Sequence, residues 1–163
     1  MENYIVINGK KAELTEEQLK ALGIETEKKN PFARCQDEEK YYYIEYDGEV
    51  LQDTEYNSET DIKCYKVANY CTDKNLLQQR AWHETLNRLL WRYSMEHDGD
   101  KIKWNDDQWK YIIYYDRGCC TFKIDMYRTF NYDSIWFYTR GIAENAIKEI
   151  IEPFMKEHPG FVW

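Results

Sequence analysis

The chain has little of what breaks structure or staples it. Three prolines and seven glycines in 163 residues exclude a collagen-like or low-complexity chain. Five cysteines, Cys35, Cys64, Cys71, Cys119 and Cys120, form no C-x-x-C pair, and the three histidines stand at no ligand spacing. Free thiols are therefore expected, with no metal and no cofactor. No apolar run approaches the roughly 20 residues that cross a bilayer, and the N-terminal residues lack a basic and apolar leader, so the cytoplasm is the expected location. Nor does the chain hold G-x-x-x-x-G-K-[ST], G-x-G-x-x-G or G-x-S-x-G. His83-Glu84 begins a zinc-protease pattern that fails at Asn87. The acidic stretches Asp98-Gly99-Asp100 and Asp106-Asp107 lack the spacing of a calcium loop and are expected to be solvated. Without a catalytic motif, a binding protein is expected rather than an enzyme.

Aromatic residues, in contrast, are abundant: fifteen Tyr, six Trp and six Phe, 17 % of the chain. Residues 42 to 47 read Tyr-Tyr-Ile-Glu-Tyr-Asp and residues 111 to 116 read Tyr-Ile-Ile-Tyr-Tyr-Asp, each followed closely by a glycine, Gly48 or Gly118. Later in each stretch comes an aromatic residue and a threonine, Tyr70-Cys71-Thr72 and Phe137-Tyr138-Thr139, opening a helical pattern. A period near 68 residues predicts a duplicated unit. The expected fold is α+β: a short N-terminal hairpin-helix module over 1–30, then two copies of an antiparallel three-strand plus helix unit over 40–97 and 104–163, read also as one domain from 40 to 163.

In the N-terminal module Asn8-Gly9 predicts a hairpin turn between Tyr4–Ile7 and Lys10–Leu14. Thr15 and Gln18 form a capping box that starts a helix ending at Gly23. Glu25 to Lys40, charged and holding Pro31, reads as the linker. The first copy is expected as strands over 41–46, 49–51 and 62–70, with a polar loop over 52–61 and a helix from Thr72 or Asp73 to about Glu96. Its apolar stripe is Leu77, Ala81, Thr85, Leu86, Leu89, Leu90 and Tyr93. The second copy is expected as strands over 111–115, 119–126 and 134–138 and a helix over 140–157, kinked at Pro153.

The charge of −8 is uneven. Residues 1 to 70 carry 16 acidic and 9 basic side chains, residues 71 to 163 carry 14 and 13, and six of the seven arginines lie in the second part. A basic field for duplex nucleic acid is absent. On the long helix, Arg80, Glu84, Arg88, Arg92 and Glu96 repeat every four residues, the spacing of surface ion pairs. Arg88 and Arg92 beside Trp91 are also candidates to grip a phosphate while a ring stacks on a base, with Arg117, Arg128 and Tyr114 joining from the second hairpin. Apolar side chains on both faces of the two Tyr-rich strands predict a cover over the second face, expected as a homodimer or higher homo-oligomer.

The segments Tyr-Ile-Val-Ile-Asn-Gly-Lys-Lys-Ala-Glu-Leu-Thr-Glu-Glu-Gln at 4–18 and Glu-Pro-Phe-Met-Lys-Glu-His-Pro-Gly-Phe-Val-Trp at 152–163, with Val67-Ala68-Asn69-Tyr70 and Tyr111 to Asp116, resemble small proteins encoded by phages and prophages of Gram-positive bacteria. That resemblance implies a role against host defence and assigns no catalytic residues. The leading expectation is a counter-defence protein that sequesters a small anionic nucleotide-type signal. Alternatives are an acidic inhibitor that imitates nucleic acid on a host nuclease or effector, and a phage accessory protein without a defence role.

Overall fold

A computed structural model describes residues 4–7, 9–22, 30–97, 99–102, 108–128 and 134–163. Asn8, Gly23, Ile24, residues 25–29 of the expected linker, Asp98 and Asp106-Asp107 lie outside them. The chain divides into two compact units, 1–33 and 34–163. In the first, β1 (Tyr4–Ile7) pairs antiparallel with β2 (Lys10–Glu13), and α1 (Glu16–Ala21) follows. The Thr15–Gln18 capping box forms: the Thr15 amide donates to Gln18 Oε1 at 2.9 Å and the Gln18 amide to Thr15 Oγ1 at 3.3 Å.

The second unit is built on one long helix. After β3 (Lys40–Ile44), β4 (Val50–Thr54) and α2 (Glu59–Lys66), α3 runs from Lys74 to Glu96. Asp73 caps α3 by accepting from the amides of Asn75 and Leu76, which relieves two of its orphan donors. A 3-10 turn (Gly99–Lys101), β5 (Lys110–Asp116), β6 (Thr121–Tyr127) and α4 (Arg140–Ala146) come next. A π turn (Ile147–Ile151) then leads into α5 (Glu152–Glu157). Pro153 offers no N–H to the helical ladder, and the expected kink takes the form of this widened turn, in which the Glu152 amide reaches Ile147.

The stripe of α3 faces two clusters. Leu77 and Ala81 in its first half pack with Ile44, Cys71, Tyr42 and Val50, so the β3–β4 hairpin lies there. Leu86, Leu90 and Tyr93 in its second half pack with Phe137, Ala143, Ala146, Ile151, Phe154 and Phe161, and with Ile113, Phe122 and Ile124 of the β5–β6 hairpin. The segment after α5 returns to α3: Gln79 donates to the Gly160 carbonyl at 2.6 Å and accepts from the Val162 amide at 2.9 Å.

Among the described residues the strands make three separate two-stranded antiparallel sheets rather than the expected three-strand units, and the two Tyr-rich hairpins share no sheet. In place of the expected strands over 62–70 and 134–138 there is one bridging residue each: Tyr42 pairs with Cys71 and Tyr111 with Phe137. Residues 59–66 are helical, because Ser58 accepts from the Asp61 amide while Asp61 accepts from the Ser58 amide, a capping box that outweighs the strand-like composition after it. The polar stretch after Leu51 is likewise strand up to Thr54, in register with Lys40.

Candidate functional site

The β3–β4 hairpin is the most charged projection of the second unit. Residues 37 to 53 hold seven carboxylates, Asp37, Glu38, Glu39, Glu45, Asp47, Glu49 and Asp53, against the single ammonium of Lys40. All but the half-buried Glu45 are exposed. At the tip, the turn from Glu45 to Glu49 is closed by the Gly48 amide on the Glu45 carbonyl at 3.0 Å. It leaves Tyr46 86 % exposed.

Behind this acidic surface the hairpin is braced by buried carboxylates. Glu55 is 1 % exposed and takes both prongs of Arg34, Nε at 3.0 Å and Nη2 at 2.7 Å. The Tyr70 hydroxyl donates to the same carboxylate at 2.9 Å and the Asn57 amide at 2.8 Å. The guanidinium holds the Glu55 carboxyl below its usual range, outweighing burial. Burial pushes the Tyr70 phenol up, and its contacts with Cys35, 2.6 Å away at Sγ, and with Glu55 add to that. Asp61, also buried, accepts from the Tyr41 hydroxyl at 2.8 Å and from the amides of Tyr56 and Ser58. Tyr41 stacks on Tyr70 with ring centroids 4.1 Å apart.

Hence the cover expected over the Tyr41 face comes from the chain itself. The connection 55–70, with α2, lies on it, and no second subunit is required there. On the β5–β6 hairpin the corresponding connection, residues 128 to 136, is nine residues long against sixteen for 55 to 70. Tyr114 on that outer face is 39 % exposed.

The residues nominated for a nucleotide pocket do not converge. Arg88, Trp91 and Arg92 share an exposed stripe of α3, where Arg88 Nε donates to the Glu84 carbonyl at 3.3 Å and Arg80 pairs with Glu84 at 2.7 Å. Tyr114 shares a face of β5 with Ile112, whereas Tyr111 and Ile113 face the core under α3, so strand alternation puts Tyr114 on the far side of the hairpin from α3. Arg117 lies at the hairpin's turn, donating to the Trp163 carbonyl at 3.3 Å. Arg128 lies beyond its base, over the Trp109 ring at 4.6 Å. Seven paired residues separate those ends, roughly 20 Å of strand. A cavity of about 130 Å3 does lie between α3 and β5, with walls that include Asn87, Leu90, Ile112, Ile113, Phe137 and Trp163. Its lining is mixed, with Asn87 and Ser134 among the apolar side chains, includes none of the six nominated residues, and encloses under half of the roughly 300 Å3 at which ligand pockets begin.

Among the described residues no three His, Cys, Asp or Glu side chains are grouped to hold a metal ion, and no helix is long and apolar enough to cross a membrane. His83, from the failed zinc-protease pattern, meets the Val162 carbonyl at 2.8 Å and the Phe161 ring at 4.7 Å between centroids. Against family models, curated proteins and solved structures, the chain has no match.

Proposed function

We propose that the protein is a phage-encoded counter-defence inhibitor that presents the β3–β4 hairpin to a basic groove of a host nuclease or effector, in place of nucleic acid. The supporting observation is the seven-to-one excess of carboxylates over ammonium groups along residues 37–53, on a hairpin braced from behind and tipped by an exposed ring. Carboxylates in water attract a basic surface at long range, and Tyr46 offers apolar area for the contact centre. The phage setting rests on the resemblance alone. Pull-down from host lysate should capture a partner that elutes with salt. Reversing Glu38, Glu39 and Asp47 to Lys together should weaken capture at least about tenfold, while Arg88→Ala leaves it unchanged. Capture that ignores both salt and the triple reversal would sink the proposal.

The exposed Arg88, Trp91 and Arg92 stripe supports a second reading, sequestration of a small nucleotide-type signal. Isothermal titration with cyclic and ADP-ribose-type nucleotides decides it: heat that disappears in Arg88→Ala favours sequestration, and no heat with any of them removes it. A phage accessory role without a defence target is the reading that remains if both tests fail. We further read the hairpin-bridge-helix units as copies of one ancestral unit. Tyr42 and Tyr111, which open the two similar hexapeptides, each bridge to a residue two positions before a helix cap, Cys71 before Asp73 and Phe137 before Thr139.

A further inference from the structure

β5 is hydrogen-bonded on both sides, to β6 and, through Tyr111, to Phe137, whereas β6 has β5 as its sole strand partner among the described residues. The bridge settles which groups of β6 face outward. Tyr111 spends both its N–H and its C=O on Phe137, at 2.9 to 3.0 Å, so Tyr111 and Met126 are opposed without bonding each other. Pair type alternates along an antiparallel ladder, so Ile113 opposite Ile124 and Tyr115 opposite Phe122 are of the same kind. Phe122, Ile124 and Met126 therefore turn their backbone groups to the free edge. The Met126 amide agrees, since it donates to the side chain of Asp125 at 2.7 Å rather than to β5.

We propose that this edge is a self-association surface on which two copies of the chain pair β6 antiparallel to β6, about a two-fold axis at Ile124, giving a four-stranded sheet. Outward groups must meet outward groups, which leaves three central registers. Centring on Lys123 sets that ammonium opposite its own copy, and centring on Asp125 does the same with two carboxylates. Only centring on Ile124 sets Lys123 opposite Asp125 of the second copy, and symmetry repeats the pair. These two positions are non-hydrogen-bonded pairs, where cross-strand side chains come closest. In that register Ile124 bonds Ile124 and Phe122 bonds Met126, twice, so each outward group of the three residues is satisfied.

Charged residues on an edge strand commonly keep other strands away. Here their order, Lys-Ile-Asp, is complementary to itself when reversed. Lys123 already meets Asp116 in its own chain, and its three donors allow a second carboxylate. Asp125 releases the Met126 amide, which gains a backbone carbonyl instead. Met126, 41 % exposed on the core-side face, is brought against Phe122 of the second copy. This pairing is independent of the inhibitor reading, which concerns the other hairpin.

Sedimentation equilibrium of the full chain tests it. The native sequence should dimerise reversibly in the micromolar range. Lys123→Asp and Asp125→Lys should each raise the dissociation constant at least about tenfold, because each sets like charges opposite one another twice. The double exchange Lys123→Asp with Asp125→Lys should restore the dimer. Met126→Pro, which removes an outward N–H and no bond to β5, should weaken it too, with circular dichroism unchanged. A monomeric native chain, or a dimer indifferent to both single reversals, would overturn the proposal.

Discussion

Asp61 shows how a buried carboxylate fastens this fold. Burial alone would raise its carboxyl, but the amides of Tyr56 and Ser58 and the Tyr41 hydroxyl outweigh that and bring it from 3.8 to about 2. A carboxyl that is more acidic folded than unfolded stabilises the fold above its unfolded value, and that contribution is lost as the pH falls through the folded one. Stability should therefore drop between about pH 4 and pH 2, read as the urea midpoint against pH. Asp61→Asn should flatten that acid limb without abolishing it, since Glu55, lowered by Arg34, titrates in the same direction. An equally steep limb in the variant would exclude Asp61 as its source. None of this network was legible in the sequence, which reads 52–61 as a polar loop. A carboxylate that turns inward looks, in sequence, like one that turns to water.

At the scale of elements, local signals were read where they were local. The Thr15–Gln18 box, the Asp73 cap and the α3 stripe depend on residues three or four apart, and each stands where spacing puts it. The helix at 59–66 stands where a loop and a strand are expected, because the Ser58–Asp61 box fixes its start while Ile62 to Tyr70 is strand-like in composition. The turn at Gly48 depends on both levels. Its φ of +95° wants glycine, and a Cβ there would stand 2.7 Å from Thr85 Oγ1 on α3. Gly48→Ala should cost about 1 kcal/mol or more, measured by urea denaturation. Adding Thr85→Ala should recover only the contact part, since the backbone strain stays. Full recovery would mean that the dihedral costs nothing.

For the whole molecule, α3 is the element that the two hairpins of the second unit have in common. Leu77 lies under the first hairpin, Leu90 under the second, and both are buried. Leu77→Ala and Leu90→Ala should each cost about 2 to 5 kcal/mol. If α3 couples the halves, each variant should lower a single transition, seen alike by far-UV circular dichroism and tryptophan fluorescence. Two separated transitions would show that the halves unfold independently.

The sequence by itself determined the α+β class, the capped starts of α1 and α3, the apolar stripe of α3, the two Tyr-rich hairpins and the bias of acid toward the first 70 residues. These follow from periods of 2 and 3.6, from caps and from turn chemistry, all carried by neighbours in the chain. Tertiary structure alone decided that the third strands shrink to single bridges, that α2 covers the Tyr41 face, and that Arg88, Tyr114, Arg117 and Arg128 stand apart. Each of those depends on which face or end of an element meets a segment far away in the chain. Periodicity groups side chains on a face without saying what lies across from it.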